Sequence, residues 1–363
     1  MRHLREFFYS LFLPVFFALA SSALFLLLVG ESPGLLGEAL KSTLFTQFGL
    51  GYSLFYATPL IFTGLSVALS FHCGLFNIGA EGQLYVGALF IIMFASLFPH
   101  LPQGFAIPLA MMSSMLGGGI LGFIAGFLKA KRGSHEVIVT ILLNFIGILI
   151  CDYAILYRFK DPSVQTPETL EIAPAYHLST LAYKAGRMGF DLFASTPVNL
   201  ALLVAIIFAF GAYFLLFFTV RGFELRAVGQ NPSACRFTGI SVSKNQIMAF
   251  VLSGALSGLV GVNEVMGYQH DLSSGFSPQY GFTGIAVALL ARNHPLLVIV
   301  SALLFGALHN MAREIEFLSN TITKELSTVL QATIIAFVAA RSPIERLFAK
   351  WLKAFRVKEP NVR

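Results

Sequence analysis

The stretch Gly74-Leu75-Phe76-Asn77-Ile78-Gly79-Ala80-Glu81-Gly82-Gln83 interrupts two apolar runs, and its reading decides the fold. From Leu84 to Phe98 there are fifteen residues. At 1.5 Å per residue they make about 22 Å of helix, short of a hydrocarbon core of about 30 Å. The crossing helix must therefore recruit part of the polar stretch, which sets a span near 76–98. Asn77 is expected to cap that helix and Glu81 to lie in its first turns, where a carboxylate suits the positive dipole end. A helix cap at the membrane surface accounts for these residues, and so does a pathway lining, because ionisable groups at membrane depth usually serve function. Gly74, Gly79 and Gly82 permit close helix approach under either reading.

The rest of the chain extends the same pattern. It is 363 residues long, 56% hydrophobic, only 12% charged, and its net charge is +6. That composition belongs to a chain built for lipid and excludes a water-soluble enzyme. Apolar stretches near 7–29, 52–71, 76–98, 104–128, 136–156, 198–219, 245–266, 278–291, 295–311 and 326–340 make ten candidate spans. The expected fold is all-α, a polytopic helical membrane protein with about ten spans, some short or broken. Residues 1–30 also fit a cleaved leader, but the run continues through Leu24 to Val29, long enough to cross, so an uncleaved first span is preferred.

Alternating the spans places 17 of the 24 Lys and Arg on the side of both termini, which the positive-inside rule assigns to the cytoplasm. Residues 1–356 read as one transmembrane domain, with an external loop at 157–197, a cytoplasmic loop at 220–244 and a basic amphipathic tail at 343–363 on the anionic leaflet. Cys73, Cys151 and Cys235 are too few and too scattered for a disulfide framework or a zinc site. No GxxxxGK[ST] occurs, so ATP would have to be bound by another subunit. Leu272-Ser273-Ser274-Gly275 reads as a Ser/Gly turn.

Two further polar constellations lie at membrane depth. At 100° per residue, Glu136, Thr140, Asn144, Gly147 and Cys151 fall within an arc of about 80°, a polar and small stripe that must turn away from lipid. Helix packing and pathway lining both explain it. Gly281 to Ala291 is too short to cross and Pro295 enforces a break, so this is a second interrupted span, with Phe282 and Thr283 near its start. Glu264, beside Asn263, is a further ionisable group expected to face the bundle interior. The consecutive GxxxG spacings Gly118, Gly122 and Gly126 read as close helix packing.

In the cytoplasmic loop, Asn231 before Pro232 predicts a short capped helix ending near Gly239, suited to docking. The run from Arg226-Ala227-Val228-Gly229 through Asn231-Pro232 and Arg236 to Gly239-Ile240 resembles the permease subunits of bacterial ABC importers for nucleosides and simple sugars. So do Gly74–Gln83, Glu136 to Asn144 and Gly281 to Leu296, in the same order. That family stands with the ribose and branched-chain amino acid permeases. The resemblance implies an inner-membrane permease that is not an enzyme. It works with a second permease copy or a sister permease, cytoplasmic ABC ATPases that bind the ATP, and an external binding protein.

Nucleic acid is not an expected partner, and no cofactor is expected on this chain. Phe76, Asn77, Glu81, Gln83, Glu136, Thr140, Asn144, Glu264, Phe282 and Thr283 are the expected pathway residues. Arg226, Gly229, Asn231, Pro232, Arg236 and Gly239 are those expected to couple to the ATPase. Nucleosides are the expected substrate, with simple sugars or a vitamin-type heterocycle as alternatives. An ion-coupled secondary carrier using Glu81, Glu136 or Glu264 is the competing class.

Overall fold

A computed structural model describes residues 16, 19–187, 193, 195–319, 332 and 336. Among them the regular structure is helical: α1 (Leu19–Val29), α2 (Gly34–Phe45), α3 (Gln47–His72), α4 (Ala80–Leu97), α5 (Gln103–Arg132), α6 (Glu136–Tyr157), α7 (Leu181–Arg187) and α8 (Ala201–Phe218). After these come α9 (Val220–Gln230), α10 (Pro232–Phe237), α11 (Val242–Gly258), a π-helical turn (Val262–Gln269), α12 (Tyr280–Leu290) and α13 (Pro295–Leu318). The chain divides into two compact bodies, Thr43–Asn310 and the pair Met1–Ser42 with Met311–Arg363. Every site described below lies in Thr43–Asn310.

Among the described residues seven helices, with α11 and the π-turn counted as one, are long and apolar enough to span a bilayer, and α1 and α12 are shorter apolar helices. The expected span at 326–340 and the basic tail at 343–363 lie outside the described residues, apart from residues 332 and 336. The fold is thus an all-α polytopic membrane protein with interrupted spans.

Local chemistry sets the breaks. Thr46 caps α3 by accepting the Gly49 N–H at 2.9 Å, and the helix stops at Gly74, whose φ of 71° suits only glycine without strain. Thr63 donates to the Pro59 carbonyl at 3.1 Å inside α3. Residues 74–79 form no helix, so α4 begins at Ala80 rather than at 76. The expectation that Asn77 caps α4 is corrected here: the cap position is Gly79, which has no side chain to give. The Asn77 Oδ1 instead accepts the Gly79 N–H at 2.9 Å, two residues ahead, in an Asx turn that bends the chain before the helix starts.

The glycine ladder of α5 packs on α11 as its spacing predicts. A Cβ at Gly118 would press on the Gly254 carbonyl and one at Gly122 on the Phe250 carbonyl, while Ser114 donates to the Gly258 carbonyl at 2.5 Å.

The segment 157–197, expected as an external loop, is less of a loop than the sequence suggests. Thr169 N donates to Leu272 O at 3.1 Å, Ile172 N to His270 O at 2.8 Å and Leu178 N to Met266 O at 2.7 Å, so residues 168–178 lie along 266–274. The His177 and His270 rings stack 3.7 Å apart at 8°. Leu272–Gly275 is a turn: Gly275 has a φ of 71°, and the Ser274 hydroxyl reaches Asp152 at 2.7 Å.

Candidate functional site

The first break is stitched by side chains from three helices. Asn77 Nδ2 donates to Gln83 Oε1 at 2.9 Å and to the Ser253 hydroxyl of α11 at 2.7 Å, and Ser253 in turn donates to the Ser66 carbonyl of α3 at 2.7 Å. Asn144 of α6 accepts the Gly82 N–H at 2.8 Å and donates to the Ile78 carbonyl at 2.9 Å. A chain that leaves helical geometry inside a bilayer loses its own backbone partners, and Asn144 supplies replacements for two of them. Thr140, Asn144, Gly147 and Cys151 are buried together as the stripe predicts. Their close neighbours are Gly79 and Gly82: a Cβ at Gly82 would sit 2.6 Å from the Asn144 Cα. In the described chain the stripe is a packing face.

Glu136 lies apart from that group. It is half-buried and pairs with Lys129 of the last turn of α5 at 2.6 Å, tying the α5–α6 corner. Phe76 is half-buried and stacks on Phe71 at 5.1 Å, Thr283 is half-buried, and Phe282 is 42% exposed.

The two remaining carboxylates converge. Glu81 and Glu264 are each 3% exposed. Glu81 Oε2 accepts the Gly281 N–H at 2.7 Å, at the free N-terminal end of α12. Gly281 must be glycine because its added Cβ would lie 2.6 Å from the Glu81 Cα. Glu264 accepts from Asn263 Nδ2 at 3.0 Å, Asn263 Oδ1 accepts from Asn199 at 3.2 Å, and Tyr280 lies beside Glu264.

Two helix starts, α4 and α12, therefore meet beside two carboxylates and run away in opposite directions. The α4 end reaches Phe98, whose carbonyl takes the Tyr176 hydroxyl of the external segment at 2.6 Å. The α12 end reaches Asn293, whose carbonyl pairs with His72 at 3.0 Å. At 1.5 Å per residue, α12 sets the meeting point about 16 Å from the His72 level, about half the roughly 30 Å of a hydrocarbon core. Half-helix N-termini at this depth form sites in many transporters. Among the described residues no three metal-ligating side chains converge.

The segment 220–244, expected as a cytoplasmic loop, holds two helices rather than the single one expected, because Thr219 caps a first, accepting the Gly222 N–H at 3.0 Å. Asn231 caps the second as predicted, accepting the Ala234 N–H at 3.0 Å, with Pro232 at its first position. Asn231, Pro232, Arg236 and Gly239 are exposed. Arg226 turns inward: its Nε donates to the Leu216 carbonyl at 3.0 Å and its guanidinium lies 5.1 Å over Phe217.

Gly229 also faces inward, since its Cβ would lie 2.9 Å from both the Cys73 carbonyl carbon and the Gly74 nitrogen. The end of α9 thus rests on the first break. The residue that sequence reasoning missed is Phe237, 94% exposed at the end of α10. An apolar ring after a capped turn was a readable signal, lost among 37 Phe.

Comparisons with known proteins agree with this architecture. Residues 49–339 match the family described as branched-chain amino acid transport system / permease component. The nucleoside ABC transporter permease protein NupB of Lactococcus lactis subsp. cremoris is 35% identical over 322 residues, 88% of this chain and 86% of its own. The guanosine ABC transporter permease protein NupP of Bacillus subtilis is 34% identical over 93% of this chain and 95% of its own, and the glucose ABC transporter permease protein TsgB13 of Haloferax volcanii is 34% identical over 83% and 79%. With that match running from the start of α3 past the end of α13, the chain belongs to the permease-component family of branched-chain amino acid transport systems, as a multi-pass plasma-membrane protein.

Proposed function

We propose that the chain is the membrane-spanning subunit of an ATP-driven importer for nucleosides, one transmembrane domain carrying an external strap and a cytoplasmic coupling corner. The observation that carries this reading is the α9–α10 corner. It presents Phe237 and Arg236 outward and rests through Gly229 on the end of α3, one turn of chain from the Asn77–Glu81 break. A chain with no GxxxxGK[ST] receives work only by contact, and this corner joins an exposed face to the helix starts at mid-membrane.

In this reading ATP is bound by a cytoplasmic ATPase subunit seated on α10, and this chain carries no cofactor. An external binding protein delivers substrate, and a second permease copy or a sister permease completes the path. Asn77, Gln83, Thr140 and Asn144 hold the joint, while Glu81 and Glu264 face the moving solute. Glu136 braces the α5–α6 corner. The nucleoside assignment rests on the NupB and NupP relatives, and the glucose relative makes a hexose the competitor to be tested.

The experiment is uptake of guanosine, uridine and glucose into vesicles holding the permease with its ATPase and binding protein. ATP-dependent nucleoside uptake, abolished by omitting the ATPase and reduced at least tenfold by Phe237→Asp, is the expected result. Uptake without the ATPase makes the chain a secondary carrier, and uptake of glucose alone assigns it to sugars.

A further inference from the structure

From the N-terminus of α3 to Glu264 runs a line of rings of which only Tyr280 belongs to an interrupted span. Phe48, Tyr52 and Tyr56 recur every four residues and share one face of α3. Their centroids are 4.7 Å apart for Phe48–Tyr52 and 6.4 Å for Tyr52–Tyr56. Tyr56 lies 4.3 Å from His309 of α13, and His309 lies 6.4 Å from Tyr280, the first residue of α12. Tyr280 lies beside Glu264, which ends the line.

Exposure falls along the same line. Phe48 is 42% exposed, Tyr52, Tyr56 and His309 are half-buried, and Tyr280 and Glu264 are each 3% exposed. Eight residues of α3 carry the line about 12 Å along the helix axis. A headgroup-level belt of aromatics would occupy one layer, and a core stripe would be buried throughout; this line is neither. The exposed faces of α6 and α8 carry mainly Ile141, Phe145, Leu149, Ile207, Phe210 and Phe214, and the exposed hydroxyls of α6, Tyr153 and Tyr157, stand together at its last turns rather than leading inward.

We propose that Phe48, Tyr52, Tyr56, His309 and Tyr280 form a stacking track for a flat heteroaromatic ring, ending where Glu264 accepts N–H donors from the edge of that ring. The assignment rests on the nucleoside reading and deepens it, naming the base rather than the sugar as the part that is gripped. Rings 4 to 6 Å apart let a base pass from one face to the next without returning to water, and stacking tolerates any base. The carboxylate then selects those with an N–H edge.

The test uses the complete complex in vesicles, so that two failures separate. If the wild-type complex takes up glucose or ribose but neither guanosine nor uridine, the nucleoside reading falls, and the track with it. If wild type takes up nucleosides, Tyr56→Leu and His309→Leu should each lower guanosine uptake at least tenfold in kcat/KM, whereas Tyr56→Phe keeps at least half. Phe145→Leu on the apolar face of α6 should leave uptake unchanged.

Wild-type complex irradiated with 8-azidoguanosine should be labelled on the α3 or α13 peptide, which keeps the question decidable where a variant does not fold. Labelling confined to other helices, or Tyr56→Leu and His309→Leu variants that assemble and transport within twofold of wild type, overturns the track.

Discussion

The break before α4 and the two breaks that flank α12 do the same geometric job by opposite means. Residues 74–79 are held by Asn77, Gln83, Asn144 and Ser253, and their left-handed residue is a glycine. Around α12 the left-handed residues are His270, Gly275, Gln279, Arg292 and Asn293, four of the five not glycine. His270 Nδ1, Asn293 Oδ1 and His294 Nδ1 are buried there with no hydrogen-bond partner among the described residues. Each left-handed non-glycine costs about 1 kcal/mol and each unmade buried hydrogen bond about 1–3 kcal/mol. One break is built as a joint; the other carries strain of the kind that a two-state element would draw on. Its ends are pinned by Glu81 to Gly281 and by His72 to Asn293, so α12 is the part expected to swing.

The largest expected effect removes the joint. Asn144→Leu strips partners from the Gly82 N–H and the Ile78 carbonyl, which should cost about 2–6 kcal/mol and show as lost folded yield and a lowered Tm in detergent. A variant that melts and transports like wild type would break the comparison. Next comes the pin. Glu81→Gln keeps the shape and an acceptor for Gly281 but replaces the carboxyl at the α12 N-terminus with an amide, so uptake should fall at least tenfold with folded yield unchanged. Unaltered uptake would reduce Glu81 to a neutral cap.

A paired substitution sharpens the contrast. Gly82→Ala drives a Cβ to 2.6 Å from Asn144 Cα and should destabilise by about 1–3 kcal/mol. Asn293→Gly, at φ 58°, should be neutral or stabilising by up to about 1 kcal/mol. Equal losses at both would mean that the breaks do not differ.

The smallest effect is the pH response of the external segment. Burial, with Glu168 and Glu171 nearby, pushes Asp271 up to about 6. Its neutral form is the one favoured when folded, so its contribution is present at acid pH and is lost as pH rises from about 4 through about 6. The group is partly exposed, so the effect stays under about 1 kcal/mol. His270 is lowered by burial and by His177, and it acts in the opposite sense, costing stability as pH falls through the histidine range. Asp271→Asn should therefore leave a strap that only loosens on acidification, seen as lower amide protection at 270–274, relative to the intrinsic exchange rate at each pH, near pH 5 than at pH 7.5.

How much was legible in the sequence follows the range of each interaction. Local signals were readable: the Asn231–Pro232 cap, the buried stripe of α6, the glycine ladder of α5 and the shortness of 280–290. Non-local ones were not. Glu136 shares its helical face with Asn144, yet its partner Lys129 comes from across a turn. Gly229 looked like part of a docking helix and is instead the contact with residues 72–74, more than 150 positions earlier. The π-turn that carries Glu264 has no local pattern, since it depends on Asn199 filling the space beside Gly267 and Asn263. The ring line crosses α3, α12 and α13, and in a chain with 37 Phe and 11 Tyr its members do not stand out.

The central claim is that α12 moves while the 74–83 joint holds. Hydrogen exchange of the complete complex, with and without a non-hydrolysable ATP analogue, measures both segments in one sample. Peptides covering 270–281 and 290–296 should exchange faster than 74–83 in the nucleotide-free complex and change their protection at least fivefold when nucleotide binds, while 74–83 stays the same. Exchange at 74–83 that is as fast and as nucleotide-sensitive as at 270–281 would contradict the account.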